Sequence, residues 1–105
     1  MAKYVMVVPS AAKDGRDDDY NTWYDSEHIH DICALPGVIS GRRFDAVQAV
    51  SPNPVPADYL AIYEIETDDI GAVIGELGRR ATSGEMKTSD ALDFDKAQVW
   101  IYQQK

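Results

Sequence analysis

Residues Tyr20–Phe44, YNTWYDSEHIHDICALPGVISGRRF, hold a long helical pattern, a stop signal and the start of a strand, in that order. At about 100° per residue, a helix brings Tyr20, Tyr24, His28 and Asp31 within roughly a quarter-turn, with Trp23, Glu27 and Ala34 along one border. A solvated helix face does not carry Trp and two Tyr, and a plain core face does not carry an imidazole beside carboxylates. The mixture suits the wall of a pocket. A half-buried helix whose Tyr and His only pack and hydrogen-bond accounts for the same residues, and this stretch alone does not separate the two. Pro36–Gly37 then stops the helix. Val38–Val47 follows as a predicted strand, with Val38, Ser40, Arg42 and Phe44 on one side and Ile39, Gly41, Arg43 and Asp45 on the other. Neither side is cleanly apolar.

Upstream, Lys3–Pro9 is a short β-branched apolar run ended by proline, which predicts a buried strand. Ser10–Arg16 reads as a loop, and Asp17, Asp18 and Asp19 supply carboxylates to the N-terminus of a helix running to about Leu35. Downstream, Ser51–Pro56 holds three prolines and reads as a loop. Asp58–Glu66 is a third strand, Tyr59, Ala61, Tyr63 and Ile65 alternating with Leu60, Ile62, Glu64 and Glu66. Thr67 is the expected N-cap of a second helix, whose apolar stripe is Ile70, Val73, Ile74 and Leu77. Ala81–Leu92 is expected to be a mobile polar loop beside a pocket, and Ala97–Gln103 a fourth strand with Val99 and Ile101 opposite Trp100 and Tyr102.

The order β-α-β-β-α-β over 1–105 predicts a single α+β domain: a ferredoxin-like plait, a four-stranded antiparallel sheet with two helices on one face. Strands apolar on both sides leave the helix-free face in need of a cover. A homodimer joined through the sheets is the expected solution.

Composition narrows the partners. The 105 residues are 45% hydrophobic, as in a globular protein, and carry a formal net charge of −8, which argues against nucleic acid and against anionic membrane. Arg42–Arg43 and Arg79–Arg80 are the only clustered bases, too few to follow a phosphate backbone. No apolar run approaches the roughly 20 residues of a membrane span. The start MAKYVMVV lacks the long apolar core of a signal peptide, and the single Cys33 forms no internal disulfide, so a cytoplasmic location is expected. Cys33 lies among Ile32, Ala34 and Leu35 and reads as a small core residue rather than a nucleophile.

The stretch WYDSEHIHDICALPGVISGRRF resembles the dimeric α+β barrel superfamily, and within it the group of ethyl tert-butyl ether degradation proteins. Trp23, Tyr24, His28, Pro36, Gly37 and Arg43 stand at positions that match the group's motif. Where relatives often have another residue two places after the histidine, this chain has His30, which leaves open whether one or two imidazoles work in the site. The resemblance implies the plait and its dimer. It does not choose a reaction, because the superfamily includes cofactor-free isomerases, polyketide cyclases, monooxygenases and haem-degrading enzymes.

The residues themselves exclude several chemistries. His28 and His30 point roughly 200° apart on a helix, which disfavours a shared metal ion. Glu27 and His30 make an E-x-x-H pair, but a di-iron centre needs a second copy and the chain has none. Haem would make one histidine an axial ligand, and an acid–base or structural role is favoured over that. No phosphate-binding glycine loop and no nucleophile elbow is present. No metal, haem, flavin or other cofactor is therefore expected.

Proton transfer remains, with His28 as general base and then acid, and Tyr24 and Asp31 one turn either side of it. Arg43 or Arg42 is expected to hold a substrate carboxylate or developing enolate, the other forming a surface ion pair. Tyr20, Trp23, His30, Tyr59, Tyr63, Trp100 and Tyr102 are the expected substrate-binding residues of an aromatic cavity. The reading is a cofactor-independent lyase, isomerase or cyclase acting on a small hydrophobic, aromatic or polyketide-like compound. A cofactor-free monooxygenase of a phenol or quinol is the alternative enzyme. A non-catalytic ligand-binding or accessory dimer of a catabolic pathway is the alternative outside enzymes.

Overall fold

The computed structural model describes residues 1–105. Strand β1 (Ala2–Ser10) lies inside the sheet and pairs antiparallel over its whole length with β3 (Tyr59–Thr67), Ala2 opposite Thr67 and Ser10 opposite Tyr59. Strand β2 (Val38–Asp45) flanks β3, and the short β4 (Trp100–Gln103) flanks β1, giving the order β2-β3-β1-β4 with every pair antiparallel. The strands richest in apolar residues on both sides take the two inner positions. The more polar β2 and the four-residue β4 take the edges, where unpaired backbone meets solvent. This is the expected ferredoxin-like α+β plait.

The first helix is not uniform. Asp17–Trp23 is α-helical, Tyr24–His28 forms a π-helical turn, and Ile29–Cys33 returns to α geometry; the three together are helix α1, 17–33. The Ile29 N–H reaches back five residues to the Tyr24 carbonyl, which marks the wide turn. Helix α2 (Ile70–Ser83) runs three residues into the segment expected to be loop, because Ala81 continues the helix and Gly84 closes it in the left-handed conformation at φ +85°. Its N-cap is Asp69, which accepts from Ala72 N at 3.1 Å, rather than Thr67. Thr67 still pairs with Ala2 as the last residue of β3, so the helix cannot begin until after it.

Met6, Ala61, Tyr63 and Ile65 are buried on the helix side of the sheet against Tyr20, Trp23, Tyr24 and Ile32 of α1 and Val73 of α2. Of the predicted α2 stripe, Ile74 stays half-exposed at 49%. By the two-residue period of a strand, Val5, Val7, Leu60 and Ile62 point to the helix-free side. After α2 the chain returns beside the end of β1, with Lys13 N on Ala91 O at 2.8 Å and Asp93 N on Ala11 O at 3.0 Å, and buries Met86 and Ala91 over the helix side. No helix is long and apolar enough to cross a membrane.

Candidate functional site

A cavity of about 190 Å³ opens between α1, α2 and the helix side of the sheet. Its walls are Met6 and Val8 from β1, Tyr63 from β3, Tyr24, His28 and Ile32 from α1, and Leu77 and Ala81 from α2. Met86, Lys87, Thr88 and Val99 close it from the returning segment. A wider cleft of about 570 Å³ at the other end of α2 has only Glu66 and Glu76 as titratable side chains. The smaller cavity is the candidate site, because an imidazole and two phenols meet there within apolar walls.

The π turn explains how. Its extra backbone width carries His28 back toward Trp23, so the imidazole stacks on the indole at 4.6 Å and 22° while meeting the Tyr24 ring edge-on at 4.8 Å and 88°. Trp23 is itself anchored, its Nε1 donating to the Lys87 carbonyl at 3.1 Å across the mouth of the cavity. Held between these rings, the His28 Nδ1 is buried and has no hydrogen-bond partner. Burial pushes the His28 pKa below its ordinary value, against a smaller upward pull from Asp31, and the Arg43 charge lowers it further. The ring is therefore neutral at pH 7 and no protein partner dictates which nitrogen carries its proton.

The Tyr24 and Tyr63 hydroxyls share a hydrogen bond of 2.7 Å. Burial pushes Tyr24 up to about 12, and it raises Tyr63 as well, with Tyr24 beside it adding to the shift, so both phenols stay protonated near neutrality. Gly41 makes this packing possible: a Cβ there would lie 2.8 Å from the Tyr63 ring and 2.9 Å from Cys33 Sγ.

Arg43 sits behind the site rather than in its lining. Its guanidinium stacks over the Tyr24 ring at 4.4 Å and donates to Asp25 Oδ1 and Asn21 Oδ1, each at 2.8 Å. Tyr20, buried beside it, hydrogen-bonds Ser10 and stacks against Tyr59 at 5.4 Å. Tyr59 turns its hydroxyl outward, donating to Asp17 Oδ2 at 2.5 Å, and does not line the cavity.

Several expected site residues are elsewhere. His30 is exposed and away from the cavity, as its opposite direction on the helix implies. Asp31 is half-buried but outside the lining, since the wide turn shifts the register and puts Ile32 on the Tyr24 side in its place. Trp100 and Tyr102 pair with Val7 and Val5 and so belong to the helix-free face, not to the cavity. Arg42 is exposed on that face too, bound to Glu64 at 3.3 Å. Conversely, sequence reasoning did not single out Met6, Leu77, Met86 or Val99 as lining. Met6, Leu77 and Val99 read as ordinary core by their strand or helix periodicity, and Met86 lies in a segment read as a polar loop, so nothing local marks any of them as bordering a cavity.

No three His, Cys, Asp or Glu side chains gather as a metal would need. The groups that border the cavity are the His28 imidazole, the rings of Tyr24 and Tyr63 and an apolar wall, with Lys87 and Thr88 from the returning segment.

No protein-family model matches the sequence, and no curated protein matches it closely enough to count as a relative. Solved structures do match in shape. A candidate monooxygenase from Shewanella loihica PV-4 superposes with a TM-score of 0.64 at 10% identity, over 100% of this chain and 97% of that one. The haem-degrader MhuD from Mycobacterium tuberculosis, solved with two haems in its active site, gives 0.65 at 11% identity, over 96% and 94%. A NIPSNAP-family protein of unknown function from Agrobacterium tumefaciens gives 0.57 at 18% identity, over 98% and 87%. At these identities the likeness is one of fold alone, the ferredoxin-like α+β plait described above.

Proposed function

We propose that the chain is a cofactor-independent lyase, isomerase or cyclase, in which His28 takes a proton from a small hydrophobic, aromatic or polyketide-like compound and returns it. The observation that carries this reading is the His28 imidazole on the wall of an apolar cavity, neutral by burial and with an unpartnered nitrogen. A neutral imidazole is a competent base, and exclusion of water strengthens its interaction with a bound substrate. The volume, below the roughly 300–1,000 Å³ of sites for drug-sized ligands, suits a small molecule. The reading includes kinship with the ethyl tert-butyl ether degradation group, which the Trp23-Tyr24 and Pro36-Gly37 motif supports, and a cytoplasmic setting, which the single thiol Cys33 supports.

The test is turnover of a panel of small aromatic and polyketide-like compounds in D2O, followed by mass spectrometry. His28→Gln is expected to lower kcat by about 10²–10⁴-fold while the fold survives, and His30→Ala to leave it nearly unchanged. Because the base must be unprotonated and burial lowers its pKa, kcat/KM is expected to fall on the acid side at a pH below the ordinary 6.5 of histidine. Full activity in His28→Gln with a flat profile from about pH 5 to 9 removes His28 from the chemistry. Saturable binding without product from any compound favours the non-catalytic accessory dimer.

A further inference from the structure

Two phenols that face each other hold one more donor than their mutual bond uses. The Tyr24 and Tyr63 oxygens are 2.7 Å apart, one O–H donates to the other oxygen, and neither hydroxyl has another protein partner. One O–H is left over, on residues that both line the cavity. Tyr24 keeps 3% of its surface exposed and Tyr63 is fully buried, so the pair meets the cavity from within the wall. Burial keeps the two phenols protonated, so the spare donor persists across the neutral range.

The charges around the cavity decide what this donor is for. Arg43 is spent on Asp25 and Asn21 and lies behind the Tyr24 ring, while Lys87 stands at the exposed mouth. The inner wall thus offers a neutral imidazole, a neutral hydroxyl donor and apolar carbon, with no net charge. A carboxylate there would lose its water without gaining a counter-charge. A neutral molecule with one acceptor oxygen, and a removable hydrogen on the neighbouring carbon, meets both the hydroxyl donor and the imidazole.

We infer that the substrate is a small neutral ketone or aldehyde with an acidic α-hydrogen, its oxygen held by the Tyr24–Tyr63 hydroxyl pair while His28 takes the α-proton. This rests on the reading of His28 as the base. A nitrogen of His28 receives the proton, the C–H electron pair becomes the C=C π bond, and the carbonyl π pair moves onto oxygen. The enolate oxygen then accepts the spare O–H, and its charge is shared with the second phenol through their mutual bond. The imidazolium returns its proton to the same carbon or to another. No electrons leave the system and no co-reactant is needed.

The experiment uses 2-tetralone and cyclohexanone as enolisable probes in D2O, with NMR reading deuterium at the α-carbon and benzophenone as a non-enolisable binding control. The wild-type protein is expected to catalyse exchange on at least one ketone. The double variant Y24F/Y63F is expected to lose about 10²–10³-fold in kcat, the usual effect of removing an oxyanion donor, with KM changed far less. Each single Phe variant should lose less than the double, since the surviving hydroxyl still donates. Should the double variant fail to fold by circular dichroism, the two single variants carry the same kcat-against-KM test. If exchange falls in His28→Gln but not in the Phe variants, the phenol pair is not the oxygen site, and the base assignment stands alone. If the wild-type protein exchanges neither ketone, yet His28-dependent product forms from a compound without a carbonyl, the substrate class is wrong. If it exchanges neither and no compound shows His28-dependent turnover, this inference and the base assignment fall together.

Discussion

Arg42 and Arg43 are identical neighbours on β2, and the two-residue period of the strand sends them to opposite faces. Arg43 has 14% of its side chain exposed, stacks on Tyr24, and satisfies both Asn21 and Asp25; Arg42 reaches only Glu64 in solvent. Arg43→Ala would leave a half-buried amide and a carboxylate without their donor, and is expected to lower stability by about 1–3 kcal/mol in urea titration. Arg42→Ala should stay within about 0.5 kcal/mol of wild type, and equal losses in the two would refute this division. His28 adds a pH dependence. Its folded pKa lies below the unfolded value, so the unfolded chain binds the extra proton, and stability falls as pH drops from about 6.5. His28→Gln is expected to flatten that part of the curve. The sequence showed that one arginine had to face the helices, but not which. A β-bulge between Val38 and Ser40 resolves it, and a bulge of that kind leaves no local signature.

At the scale of elements, the order of strands and helices was legible because each boundary has its own chemistry: prolines after β2, Pro36–Gly37 after α1, carboxylates before both helices. The π turn was not. A period of 3.6 assigns Tyr24–His28 correctly to a helix, yet its angular bookkeeping goes wrong by the width of one extra residue, which is why Asp31 was expected on the face that Ile32 occupies. The C-terminal end of α1 meets β2 at one crowded point, Gly41, over which Cys33 and the Tyr63 ring of β3 pack. Gly41→Ala would force a methyl within 3 Å of both, and overpacking of this kind costs about 1–3 kcal/mol. Because Tyr63 must give way, the variant should also lose activity beyond what the stability loss explains. An unchanged kcat in a folded Gly41→Ala protein would separate the Tyr63 hydroxyl from the reaction.

For the whole molecule, the helix-free face is the unresolved surface. Its alternation matches that of the buried face, so sequence could not say which of the two would hold Trp100 and Tyr102. Pairing with Val7 and Val5, opposite in direction to buried Met6, decides it. There Trp100 is 44% exposed and Tyr102 60%, beside Val5, Val7, Leu60 and Ile62, and Phe44 extends the patch along β2. A continuous apolar sheet face with aromatic residues and a rim of paired charges, Lys3–Glu66 and Arg42–Glu64, has the make-up of an interface. A second copy of the chain, sheet against sheet, is the expected cover. Sedimentation velocity at micromolar concentration should then give twice the mass of one chain, and Ile62→Glu or Trp100→Glu should give a folded monomer, because an unpaired carboxylate at the centre of the contact loses its water without a partner. Each chain carries −8, so the two copies repel at long range while the contact itself is apolar. Raising salt from about 0.01 to 0.15 M shortens the screening length from about 30 to 8 Å and should tighten the dimer. An association that weakens with salt would instead place charged pairs at its centre, and a wild-type monomer at every concentration would leave this face for a different partner.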